Sequence, residues 1–76
     1  MFSVMNDEEQ KIRFIAFCVE QFKHRHGCDG VKAMDCFRQN GIIDFLSTNF
    51  DVEHSLGADA ILDDIDAILR RKGGAI

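Results

Sequence analysis

The 76-residue chain has no proline, no tryptophan and no tyrosine. Without proline, glycine is left to punctuate it, at Gly27, Gly30, Gly41, Gly57 and the Gly73–Gly74 pair. Without tryptophan or tyrosine, seven phenylalanines carry all the aromatic surface, and none has a polar tip. No run of about 18 apolar residues exists, which argues against a transmembrane helix. The start, MFSVMNDEEQ, lacks a basic segment followed by a long apolar one, so it does not read as a secretory signal. Cys18, Cys28 and Cys36 are odd in number and form no CxxC pair, which fits reduced thiols rather than a disulfide framework. Together these absences predict a cytoplasmic protein with no membrane association.

Basic residues are missing from a long stretch. Residues 1–38 carry six basic and six acidic side chains, whereas residues 39–69 carry seven acidic ones and no lysine or arginine. Arg70, Arg71 and Lys72 restore some positive charge at the end, leaving a net charge of −4. No basic stripe is present to follow a phosphate backbone, so nucleic-acid binding is not expected. An acidic surface favours a basic protein partner instead.

The remaining pattern is helical. One all-α domain spanning 1–76 is expected, a single-core bundle of about four helices, with flexible ends at 1–5 and 73–76. The first helix opens at Asn6, with Glu9 completing a capping-box-like pair and Asp7, Glu8 and Glu9 suiting the positive end of the helix dipole. It runs to His26 and stops at Gly27, a left-handed C-cap. Ile12, Ile15, Ala16, Val19 and Phe22 form its expected buried face. Asp29 caps a second helix ending near Asn40–Gly41, with Val31, Met34 and Phe37 turned inward. Ile42, Ile43, Phe45 and Leu46 mark a third, fraying over 47–49. Residues 50–54 read as a short extended piece. Ser55 or Gly57 opens the last helix, whose buried stripe is Ile61, Leu62, Ile65, Ile68 and Leu69. The long first and last helices are expected to pack together.

Few constellations suggest chemistry. His24, His26, Cys28 and Cys36 are zinc-ligand types, but the two histidines diverge around a helix and lack paired-ligand spacing. A polar helix end beside small buried thiols explains them more simply. His54–Ser55 has no partner acid and no nucleophile elbow, so no catalytic residue is assigned. Asp59, Asp63 and Asp66 share one face of the last helix, with Asp64 nearby. They read first as a solvated face, with Asp66 able to pair with Arg70, and next as an acidic docking face. Phe14 and Phe17 fall away from the first helix's apolar stripe; they read first as a pair covered by another helix of the bundle, and next as candidate anchors at an interface.

Several segments carry a resemblance: 14–20 (FIAFCVE), 41–46 (GIIDFL), 49–57 (NFDVEHSLG) and 61–65 (ILDDI). Over the run from Ile12 to Gly73 the chain resembles a family of small bacterial, all-helical proteins of unknown function. Genes of that family often neighbour one for an ADP-ribosyltransferase-like protein, in arrangements similar to toxin–antitoxin pairs. The resemblance implies an antitoxin-like partner or regulator of such a toxin-like enzyme.

The sequence therefore predicts a non-catalytic protein-binding module without cofactor or metal. Its expected contacts are Phe14, Phe17, His54, Asp59, Asp63 and Asp66. Two alternatives stand beside it, a structural homodimer whose interface absorbs the excess phenylalanine, and a small metal-binding protein using His54 or the aspartates.

Overall fold

The computed structural model describes residues 7–73. They form five helices, α1 (Asp7–His26), α2 (Gly30–Gln39), α3 (Ile42–Thr48), α4 (Phe50–Glu53) and α5 (Ala58–Arg71), with no strand among the described residues. The expected Asn6 cap and the segments 1–5 and 74–76 lie outside these residues.

Local chemistry explains most of the boundaries. Asp7, Glu8 and Glu9 occupy the first turn of α1, and Lys23, His24, Arg25 and His26 its last, so each end carries charge opposite to the local helix dipole. Gly27 ends α1 at φ +63°, a conformation that a Cβ would strain. The amides of Gly27 and Cys28 both donate to the Lys23 carbonyl, satisfying a terminal acceptor. Asp29 caps α2, its carboxylate accepting from the Lys32 amide at 2.8 Å. Gly41, at φ +71°, turns the chain from α2 into α3.

Residues 50–53 are helical, not extended, and His54 is their C-cap. The Asn49 carbonyl accepts from the amides of Val52 (3.1 Å) and Glu53 (2.8 Å), and the Phe50 carbonyl from that of His54 (2.9 Å). An isolated strand would leave these groups without a ladder, whereas one helical turn satisfies them locally. This turn raises the expected four helices to five.

The core is built from Cys18 and Phe22 of α1, Ala33 and Phe37 of α2, Ile42 and Leu46 of α3, and the full stripe Ile61, Leu62, Ile65, Ile68 and Leu69 of α5. Phe22 and Phe37 meet edge to face, with ring centroids 5.2 Å apart. α1 packs on α2, α3 and α5, which supports the expected pairing of the two long helices. Two expected faces are displaced. Val31 is 74% exposed, and Ala33 takes the buried place beside Phe37. On α1, Ile12 is 61% exposed and Ala16 lies at the surface, while Cys18 is buried. The side of α1 that faces the core is thus rotated toward Cys18 and Phe22, leaving the aliphatic stripe on its flank.

Candidate partner-binding surface

That displaced stripe forms one wall of a groove. Ile12, Ile15, Ala16 and Val19 of α1 line it with Gly30 and Met34 of α2 and Ile43 of α3. Its volume is about 510 Å³, and Glu20 is its one charged lining residue. Gly30 has no side chain to fill the space, so the chain leaves a concave aliphatic surface open to solvent. Ile15, Val19 and Ile43 also touch the core with part of their surface, which holds the groove floor in place. Such a surface takes apolar groups and offers little to a charged ligand.

The residues expected to make contacts occupy two other places. Phe14 is half-buried, packs against the core and meets Phe50 edge to face at 5.5 Å. The Phe50 ring in turn stacks on His54, with centroids 4.5 Å apart and planes 9° from parallel. His54 Nδ1 donates to the Phe50 carbonyl at 2.5 Å, so the exposed imidazole also caps its own turn. The fold therefore joins Phe14 to His54 through Phe50. Phe17, one turn further along α1, is 44% exposed. At about 100° per residue, Phe14 and Phe17 lie on the opposite flank of α1 from Ile12 and Ala16.

The acidic trio is gathered around a cation of the same chain. Arg25 Nη1 lies 2.9 Å from Asp63 Oδ1 and 3.2 Å from Asp66 Oδ2, and Nη2 lies 3.6 Å from Asp59 Oδ1. Its hydrogen bond to Asp63, helped by that to Asp66, holds the guanidinium pKa above its ordinary value. His26 Nε2 sits 2.9 Å from Asp66 Oδ1. Asp66 thus turns to α1 rather than to Arg70, because Arg25 and His26 reach it from the helix packed beside it. Among the described residues, no group of three histidine, cysteine, aspartate or glutamate side chains is arranged to hold a metal.

A further acid has no local sequence signal. Glu53 is only 4% exposed, whereas its neighbour Val52 is 61% exposed, the reverse of what hydropathy predicts. Burial pushes the Glu53 carboxyl up to about 7, and the adjacent Asp64 carboxyl reinforces the shift by hydrogen bonding and by charge. Glu53 Oε1 has no hydrogen-bond partner. The Cys18 thiol is pushed up to about 12, first by its burial and then by Glu53, so it stays protonated and unreactive.

The fold and surface define a small all-helical domain with an open aliphatic groove. The family described as "Protein of unknown function (DUF3791)" matches residues 13–72, and the chain belongs to that family. No curated protein and no solved structure matches it. Among the described residues, no helix is long and apolar enough to cross a membrane.

Proposed function

We propose that this chain is a protein-binding module without chemistry of its own, receiving an amphipathic helix of a basic partner in the groove between α1, α2 and α3. The carrying observation is the groove itself, a concave surface of about 510 Å³ lined by Ile12, Ile15, Ala16, Val19, Met34 and Ile43, with Gly30 opening its floor. Helix-in-groove recognition works by burying apolar anchors spaced three and four residues apart, and a groove between helices supplies matching holes. The net charge of −4 and the acidic stretch 39–69 favour a basic partner by long-range attraction.

The resemblance over 12–73 supports a finer reading, that of a bacterial, cytoplasmic, antitoxin-like partner or regulator of an adjacent ADP-ribosyltransferase-like enzyme. A small acidic domain with an open apolar face suits a stoichiometric neutraliser. The test is co-expression with the product of the adjacent gene, which this reading expects to be ADP-ribosyltransferase-like. A one-to-one complex is expected, weakened at least about tenfold by Ile12→Asp or Ala16→Glu, as loss of a central apolar anchor predicts. A complex indifferent to both substitutions overturns the groove.

The same exposed aliphatic lining favours a second reading, a homodimer. Light scattering separates the two. A concentration-dependent dimer that Ile12→Asp converts to a monomer assigns the groove to a second copy, and a monomer throughout keeps it for another protein.

A further inference from the structure

A second concave site lies on a different part of the molecule. Phe45 of α3, Glu53 of α4, and Asp64, Ala67, Ile68 and Arg71 of α5 line an open cleft of about 280 Å³. Its chemistry is unlike that of the aliphatic groove. Two carboxyl groups from different helices meet in it, one of them 96% removed from solvent, since Glu53 is only 4% exposed. Glu53 Oε1 has no hydrogen-bond partner. A buried carboxylate oxygen without a donor costs free energy that a matching donor would recover. Arg71 lines the same cleft but forms no ion pair there, although six other pairs of basic and acidic residues among the described residues come within 4 Å.

We infer that this cleft receives one arginine side chain of a partner protein, its guanidinium set against the paired Glu53 and Asp64 carboxyl groups and beside the Phe45 ring. The two carboxylates present acceptors to a planar fork of donors, the geometry that guanidinium satisfies and a spherical ammonium does not. Phe45 lines the cleft, and an aromatic ring face attracts a cation. Ala67 and Ile68 give the methylene stem apolar walls. A divalent metal fits poorly, because two carboxylates are too few protein ligands and no third is in place among the described residues. The inference rests on the reading of this chain as a protein-binding module, but it uses none of the groove residues.

Protonation tunes the site. The groups facing Glu53 are the Asp64 carboxyl and the Arg71 guanidinium on α5 and the Cys18 thiol on α1, and the thiol stays neutral because it titrates near 12. Below neutrality Glu53 holds a proton and the cleft carries a single acidic charge. As the pH rises through about 7, Glu53 ionises and attraction for a cation grows.

The test needs no identified partner. N-acetyl-arginine amide is titrated into the intact protein at millimolar concentration and followed by NMR, with N-acetyl-norleucine amide as the uncharged control. Saturable shifts are expected at Phe45, Ala67 and Ile68, absent with the control. Asp64→Asn and Glu53→Gln, both near-isosteric, should each weaken binding about tenfold, as loss of one charge-assisted hydrogen bond predicts. Binding should also tighten as pH rises from 6 to 8, a span centred on the Glu53 value near 7. Arg71→Gln should bind at least as tightly, since it removes a competing cation. Absence of saturable shifts, equal shifts with the norleucine analogue, or unchanged binding in Asp64→Asn overturns the inference. So does loss of binding in Arg71→Gln. Arginine binding by a protein whose partner complex Ile12→Asp leaves unchanged would keep the cleft and discard the groove.

Discussion

The two flanks of α1 are both apolar, yet they have opposite fates. On one, Cys18 and Phe22 are buried against α2 and α5, and at the helix end Arg25 and His26 are held by Asp59, Asp63 and Asp66. On the other, Ile12, Ile15, Ala16 and Val19 border an open groove. Hydropathy does not separate them, because isoleucine and valine are at least as apolar as cysteine. What separates them is which neighbours the loops allow to arrive. The tight turn at Gly27 to Asp29 brings Ala33 and Phe37 of α2 onto Phe22, while Gly30 leaves the adjoining space unfilled. Burial stabilises the first flank, and the second keeps apolar surface available for association.

Four measurements would break or sharpen this contrast. The largest effect is expected on the closed flank. Phe22→Ala removes a fully buried ring and its contact with Phe37, at a cost of about 3–5 kcal/mol. A domain of this size has a net stability of about 3–5 kcal/mol, so the variant should be largely unfolded by circular dichroism at room temperature. A cooperatively folded Phe22→Ala would mean that the two flanks differ less than their burial implies.

The second effect concerns pH. The Glu53 carboxyl is raised from an ordinary value of 4.5 to about 7 in the folded chain. Between those values the folded state holds a proton that the unfolded state releases, so stability falls as pH rises across this window and levels off above it. The loss should be about 1–2 kcal/mol, less than the full shift implies, because Arg71 and cleft water screen the charge. Glu53→Gln should flatten that slope in urea titrations at pH 5, 6 and 7, values inside the window that Glu53 sets. A slope that survives the substitution would place the titrating group elsewhere.

Next comes the open flank. Ile12→Asp should change stability by no more than about 0.5 kcal/mol, since the side chain is largely exposed. A urea midpoint shifted as far as that of a core truncation would show that this flank is packed after all.

The smallest effect is expected at Arg25. Its three carboxylate partners include the exposed Asp59 and Asp63, so Arg25→Gln should destabilise only slightly, and less in high salt. A loss unaffected by salt would show that the Asp66 contact is shielded from solvent and fastens α1 to α5 more firmly than a surface pair does.

The legibility of the sequence varied from element to element. The five apolar positions of α5 are all buried as their spacing predicts, because a strongly amphipathic helix on a domain surface has only one face to turn inward. The Gly27 stop and the Asp29 cap were equally legible, being set by backbone geometry and a hydrogen bond three residues long. The 50–54 turn carries no linear signal because five residues hold no period; the Asn49 carbonyl and the contact with Phe14 decide its form. Of the expected contact residues, Phe14 and His54 meet through Phe50, Phe17 stays exposed, and the three aspartates surround Arg25. Neither Glu53 nor Arg25 announced its role, since their partners lie on other helices.

The sequence by itself determined an all-helical chain, its principal helix ends and the buried stripe of α5. These follow from interactions within a few residues, which a linear pattern records. The tertiary structure alone decided which flank of α1 was covered, that Arg25 would gather the acidic trio, and that Glu53 would be buried beside Asp64. Those outcomes depend on side chains up to 41 positions apart. Their meeting is set by the packing of whole helices, to which hydropathy along the chain is blind.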